Sequence, residues 1–265
     1  MNKNIVFFDI DGTLLSEKTK LIPDSARESI KKIRENGHLA FINTGRPICE
    51  LTPYIKEIGF DGYVCGCGTY IEYNNEVLFY KGLEKDLCKE IALDMREYKL
   101  EGLLEGRYDV YWDKPGNIKN EFVLKIIEQH KHEGFYSGST WDDENIQFDK
   151  LVIFVEKDSD FNSFYNKYKD IFEFIKRDEN FYELVPLGYS KATGIKYLEE
   201  HLNIPHENTY ALGDSTNDLS MLDYAGTSIA MGNSTPSIFD NVSYITEDVD
   251  NDGIAKALKH FKMYN

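Results

Sequence analysis

Two aspartates within five residues carry the first suggestion of chemistry in this chain. Asp9-Ile10-Asp11-Gly12-Thr13 sets two carboxylates two positions apart beside a glycine. Such a pair can divide nucleophilic attack and proton transfer when the surroundings push the two pKa values apart. Three further polar clusters follow: Asn43-Thr44-Gly45-Arg46, Lys191, and Gly213-Asp214-Ser215-Thr216-Asn217-Asp218. Each alone has an ordinary reading. Asp-x-Asp is frequent in turns, Asn-Thr-Gly can open a helix, and a single lysine usually sits in solvent.

The elements that would position these clusters give them weight. Ile5-Val6-Phe7-Phe8 is a continuous apolar run that delivers Asp9 at its C-terminal end, the pattern of a buried parallel strand. A helical pattern (Ala26, Ile30, Ile33) runs from Asp24 to Asn36-Gly37, and His38–Ile42 forms a second strand ending at Asn43. Pro47 reads as the start of a helix continuing through Tyr54, Ile55 and Ile58, before a third strand at Tyr63–Cys65. Tyr70–Tyr73 and Val77–Tyr80 flank Asn74-Asn75-Glu76 as a hairpin.

From about Leu83 the alternation breaks into helices near Leu87–Met95, 122–127 and 161–168. Strands are expected near 103–104, 110–112, 151–155, 171–175 and 181–185. It resumes with a helix over 192–202, strands at 209–212, 227–230 and 243–245, and helices at 219–222 and 254–261. The expected architecture is an α/β core with a doubly wound, mostly parallel sheet, formed by residues 1–82 and 187–265, and an inserted α+β domain over 83–186. All four polar clusters then fall at strand ends on one edge, where open α/β sheets bind ligands.

Composition bounds the partners. The 265 residues hold 30 basic and 46 acidic side chains, a formal charge of −16, which disfavours nucleic acid and anionic lipid. A phosphorylated ligand would need local compensation from a metal ion, a buried lysine or backbone amides. The cysteines (Cys49, Cys65, Cys67, Cys88) form no paired framework, and Cys65-Gly66-Cys67 is too closely spaced for a zinc knuckle. No apolar run approaches a membrane span, and residues 1–8 hold no signal stretch, so a cytoplasmic location is expected and the Asn-x-Ser/Thr matches at Asn233 and Asn241 are chance. His130 and His132 lie in a polar stretch and read as solvated.

The four clusters together resemble the haloacid dehalogenase superfamily, and an insert between the second and third resembles its Cof-type sugar-phosphatase branch. The resemblance implies a Rossmann-like core with a cap, and a magnesium-dependent phosphatase acting on small phosphorylated metabolites through an aspartyl-phosphate. It implies Asp9 as nucleophile and Asp11 as proton-transfer group, with Mg2+ held by Asp9, the Asp11 carbonyl and Asp214. Ile10, Thr44, Gly45, Lys191 and Asn217 would bind the phosphoryl oxygens, and Asp218 would orient Lys191 or a metal-bound water. Arg46 either meets a second anionic group of the substrate or pairs with a local acid. Cys67-Gly68 departs from the branch, which often has Asn-Gly there, and this weakens inference of the substrate. The cap would hinge near Lys81-Gly82 and Leu187-Gly188, and Trp112, Trp141 and Tyr182 are candidates for substrate contact or for its core. A phosphotransferase or mutase would use the same residues, and a receiver-type phospho-acceptor would share the acidic pocket, Thr and Lys but have no use for Asp11 or the insert. Oligomeric state is not readable.

Overall fold

A computed structural model describes residues 3–264. In chain order the elements are β1 (Ile5–Phe8), α1 (Asp24–Glu35), β2 (Leu39–Asn43), α2 (Pro53–Lys56), β3 (Gly62–Cys65), β4 (Tyr70–Tyr73) and β5 (Glu76–Tyr80). Then come α3 (Lys85–Glu97), β6 (Leu100–Glu105), β7 (Val110–Trp112), α4 (Glu121–Glu133), β8 (Lys150–Val155), α5 (Phe161–Tyr168), β9 (Phe172–Asp178) and β10 (Phe181–Pro186). The remainder is α6 (Lys191–Leu202), β11 (Thr209–Gly213), α7 (Leu219–Tyr224), β12 (Thr227–Ala230), α8 (Pro236–Phe239), β13 (Tyr244–Ile245) and α9 (Gly253–His260).

The chain forms two compact units. One comprises residues 3–46, Leu51–Phe79 and 189–264; the other comprises Pro47–Glu50 and Tyr80–Gly188.

In the first unit the strand order is β13-β12-β11-β1-β2-β3-β4-β5. Pairings from β13 to β3 are parallel and β3–β4 is antiparallel. This is the α/β, mostly parallel, doubly wound sheet expected. β1 and β2 are wholly buried, which is why they read as unbroken apolar runs rather than alternating ones. Ile5, Phe7, Phe41 and Ala211 pack with Ile195 and Leu198 of α6 and Met221 and Leu222 of α7. α1 packs on β2 and α9 and turns Ala26, Ser29, Ile30 and Ile33 inward at helical spacing. Asn74 and Asn75 both have positive φ, 49° and 64°, as the tight hairpin between β4 and β5 requires. The topology switches at β1, whose neighbours are β2 and β11. Phe8 is level with both Ile42 and Leu212, so Asp9, Asn43 and Gly213 emerge together at the C-terminal edge.

One predicted helix divides. Ile48–Glu50 make a single 3-10 turn, and α2 begins anew at Pro53, where the Thr52 hydroxyl accepts the Ile55 N–H. Pro53 disfavours helical backbone at residue 52 and has no N–H to continue a preceding helix.

The second unit is an antiparallel sheet of order β7-β6-β8-β10-β9. Neighbouring residues leave opposite faces. Leu104, Leu151, Ile153 and Leu184 pack with Ile91 and Met95 of α3 and Phe164 and Tyr168 of α5. Leu103, Val152 and Phe154 pack with Val123 and Ile127 of α4. Trp112 and Trp141 are buried in these cores, and Tyr182 stacks on Phe161 at 4.7 Å, so all three serve packing. α4 runs six residues beyond the predicted 127, to a left-handed Gly134. His130 is accordingly buried rather than solvated: its ring meets Trp112 edge-on at 5.1 Å, and Nε2 lies 3.4 Å from Glu50 Oε1. His132 is exposed. Among the described residues no helix is long and apolar enough to cross a membrane.

Candidate active site

The loop after β1 is wound tightly enough to bring its carboxylates to the sheet edge. The Ile10 carbonyl accepts the N–H groups of Leu14 and Leu15, at 2.9 and 2.8 Å, and the Gly12 N–H donates to Leu15 at 2.9 Å. Gly12 sits at φ +82°, and a Cβ there would fall 2.3 Å from Asp214 Oδ2. The glycine therefore serves both the turn and the approach of a carboxylate from the neighbouring loop. Thr13 Oγ1, buried, donates to Asp214 Oδ1 at 3.0 Å. Asn233 Nδ2 donates to the Gly12 carbonyl at 2.7 Å while its Oδ1 accepts the Val249 N–H at 2.9 Å.

The loop after β2 approaches from the other side. The Thr44 N–H donates to the Val64 carbonyl at 2.9 Å, and Thr44 Oγ1 accepts the Arg46 N–H at 3.2 Å. Cys67, at φ 55°, donates its own N–H to the Thr44 carbonyl at 3.2 Å, so its backbone braces this loop whatever its side chain does. Asn43, fully buried, donates through Nδ2 to the Lys191 carbonyl at 2.9 Å.

Lys191 opens α6, whose first turn is closed by a capping box between Ser190 and Thr193. Its ammonium, 1% exposed, lies 2.6 Å from Asp9 Oδ1 and 2.6 Å from Asp218 Oδ1. Asp218 spends its other oxygen on the N–H groups of Asp214 and Ser215, at 3.0 and 3.1 Å. Asp218 therefore fixes both Lys191 and the backbone that presents Asp214.

Asp9, Asp214 and Asp218 each place one carboxylate oxygen within 4.8 Å of the others. Against these three charges stands one ammonium. Burial, with repulsion from Asp218, pushes Asp9 up to about 8 in spite of Lys191. Burial and Asp218 likewise raise Asp214 to about 7. Burial alone would lower Lys191, but Asp218 and Asp9 outweigh it and hold the ammonium protonated. A surplus of inward-facing carboxylate oxygens, with no sulfur or imidazole among them, suits a hard divalent cation at Asp9 and Asp214.

Asp11 has a different environment. Its side chain is half exposed, and both oxygens accept from Arg46, Oδ2 from Nε at 2.8 Å and Oδ1 from Nη2 at 2.5 Å. Of the two sequence readings of Arg46, the ion pair with a local acid is the one present. Ile10 is buried and Gly45 partly exposed. The Asn217 Oδ1 accepts from the Ser215 hydroxyl, which leaves its Nδ2 as the end able to donate to an anion.

Three contributors were missed in the sequence. Thr13 lay inside a quoted motif without a role, and Asn43 was quoted without one. Asn233 reads in the sequence as a chance glycosylation match, and it stands three residues past Ala230, the end of the apolar strand β12.

Four similarities bear on this constellation. The family model for haloacid dehalogenase-like hydrolases matches residues 6–258. YkrA of Bacillus subtilis (strain 168) is 30% identical over 270 residues, 98% of each chain. From the same organism, YcsE, named 5-amino-6-(5-phospho-D-ribitylamino)uracil phosphatase, is 26% identical over 97% of this chain and 95% of its own. Among solved structures, the HAD subclass IIB sugar phosphatase BT4131 is 27% identical with a TM-score of 0.82, covering 99% of this chain and 100% of that one. With the fold, the motif order and these similarities in agreement, the chain belongs to the haloacid dehalogenase-like hydrolase family, in its Cof-type branch.

Proposed function

We propose that this protein is a magnesium-dependent phosphatase for small phosphorylated metabolites, sugar phosphates or similar esters, working through an aspartyl-phosphate on Asp9. The observation that carries the reading is the buried Asp9–Lys191–Asp218 chain beside Asp214. It joins a nucleophile, a cation and a metal-suited carboxylate surplus at the sheet's topological switch point.

A phosphate monoester is an anion that repels nucleophiles, so catalysis rests on alignment and on neutralising charge at the phosphoryl oxygens. Lys191 supplies that cation despite the net charge of −16. The Thr44 hydroxyl, the Gly45 and Ile10 amides and Asn217 Nδ2 would hold the remaining oxygens. Mg2+, held by Asp9, the Asp11 carbonyl and Asp214, would keep Asp9 ionised and draw charge from the phosphoryl group. Asp9 then attacks phosphorus as Asp11 gives its proton to the departing alkoxide. Asp11, now a carboxylate, takes a proton from the water that hydrolyses the acyl phosphate, releasing phosphate and restoring Asp9. Asp218 orients Lys191 and carries no proton in this scheme.

Residues 83–186 fit the role of a cap that excludes water and selects the leaving group, hinged near Lys81-Gly82 and Leu187-Gly188. The partners of this reading are small metabolites and neither nucleic acid nor membrane, with a cytoplasmic location. The substrates in the names of YcsE and BT4131 are both small phosphorylated compounds, which supports the class without choosing a member. A panel of metabolite phosphates assayed for free phosphate with and without Mg2+ tests it. Release of phosphate from some members, lost on chelation and restored by Mg2+, is expected. Transfer of the phosphoryl group to an added sugar in place of phosphate release would favour a mutase, and no turnover with a long-lived phosphoprotein would favour a phospho-acceptor.

A further inference from the structure

Arg46 meets Asp11 through a two-pronged contact, Nε to Oδ2 at 2.8 Å and Nη2 to Oδ1 at 2.5 Å. The side chains are 21% and 48% exposed, and exposed ion pairs contribute little to stability because solvent screens them and side-chain entropy opposes them. Yet this arginine is held by its backbone. Its N–H donates to Thr44 Oγ1 at 3.2 Å, and its carbonyl accepts the Gly66 N–H at 2.9 Å. The loop after β2 thus aims a planar fork across the sheet edge at a carboxylate on the loop after β1. A guanidinium fixes the plane of a carboxylate as well as its position, which an ammonium does not do.

We infer that Arg46 is the positioning residue for proton transfer by Asp11. The inference rests on the proton-transfer role proposed for Asp11. The contact through both Asp11 oxygens is that of the carboxylate; protonated Asp11 keeps one oxygen on Arg46 and turns its O–H toward the leaving oxygen. Giving its proton to the leaving oxygen as the P–O bond breaks turns Asp11 into a carboxylate, and the fork receives that carboxylate in a set orientation. The same carboxylate accepts a proton from the attacking water in the second step. Without the fork, Asp11 rotates freely at a half-exposed position and the transfer geometry is populated only part of the time.

Leaving groups differ in how much they need the proton, and this separates positioning from general damage. p-Nitrophenolate departs without protonation, whereas phenolates of rising basicity need it increasingly. The test is kcat/KM across substituted phenyl phosphates, from p-nitrophenyl to p-methoxyphenyl, for the wild type and for Arg46→Ala, Arg46→Lys and Asp11→Asn. Arg46→Ala is expected to lose least on p-nitrophenyl phosphate and about tenfold more on p-methoxyphenyl phosphate, a fraction of the 10²–10⁴-fold that general acid catalysis supplies. Arg46→Lys should show an intermediate slope, because charge remains and the fork does not. Turnover of p-nitrophenyl phosphate above that of Asp9→Asn shows that the variant site is folded. An equal loss across the series, no loss, or full restoration by lysine overturns the role of Arg46. If Asp11→Asn leaves the slope unchanged, the assignment of Asp11 itself falls, whatever Arg46 does.

Discussion

Lys191 stands 2.6 Å from Asp9 and equally 2.6 Å from Asp218, with all three side chains buried. One cation is thus divided between the proposed nucleophile and a carboxylate whose other oxygen is fixed by two backbone amides. The arrangement leaves Asp9 with half of a counter-charge, enough to orient it and too little to satisfy it.

Removing the cation exposes that imbalance. Lys191→Met leaves two buried carboxylates facing each other, and loss of one partner from a buried ion pair costs about 3–5 kcal/mol. Denaturant unfolding should show a loss of that order, and phosphate release should fall below detection. A variant as stable as the wild type would mean that Asp9 and Asp218 do not depend on this ammonium.

The acidic cluster also sets a pH dependence for metal binding. Asp214 and Asp9, pushed up to about 7 and about 8 in the folded state, lie well above the ordinary carboxylate range. The metal-free folded protein therefore holds protons that the unfolded chain has released, and its stability falls as pH rises from about 4 to about 8. A divalent cation competes with those protons, so its stabilisation grows over the same window. Melting temperatures with and without Mg2+ should differ more at pH 8 than at pH 5. An equal increment at both values would contradict the placement of the metal at these carboxylates.

Gly12 is required twice, by its φ of +82° and by the 2.3 Å approach of a Cβ to Asp214 Oδ2. Gly12→Ala should destabilise the fold by about 1–3 kcal/mol through backbone strain and weaken Mg2+ binding by displacing Asp214. Isothermal titration with Mg2+ measures the second effect, and an unchanged affinity would show that Asp214 can move aside without consequence.

Asn233 ties the Gly12 carbonyl to the Val249 N–H. Asn233→Ala removes both hydrogen bonds at an exposed position where water can replace them, so stability should fall by only about 1 kcal/mol. kcat should fall through the displaced Asp9–Asp11 loop. Wild-type kcat with reduced stability would confine Asn233 to a structural role.

Much of the site was legible because the sheet is parallel. A strand buried on both faces reads as an unbroken apolar run, so the polar residue that ends each run marks the ligand edge, and Asp9, Thr44 and Asp214 could be placed this way. Partners set by three-dimensional approach were not legible. The contact of Asp218 with Lys191 follows from the family resemblance, but nothing local to Asp218 says that its other oxygen holds two amides, and nothing near Asn233 points to a carbonyl 221 positions away. His130 looked solvated beside Lys131 and His132, yet Val123, Ile127 and His130 share one helical stripe, a signal that the charged neighbours obscured. Lys150 was equally hidden: it ends 2.7 Å from both Glu105 and Glu183 in the interior of the second unit, although charges at strand positions ordinarily read as solvent-facing.

The central claim is that Asp9 is the nucleophile. Asp9→Asn removes the attacking carboxylate while keeping side-chain shape, and p-nitrophenyl phosphate, whose leaving group needs no proton, isolates the attack. The account predicts a folded Asp9→Asn protein with no measurable hydrolysis of p-nitrophenyl phosphate at saturating Mg2+. Hydrolysis at the wild-type rate would contradict it.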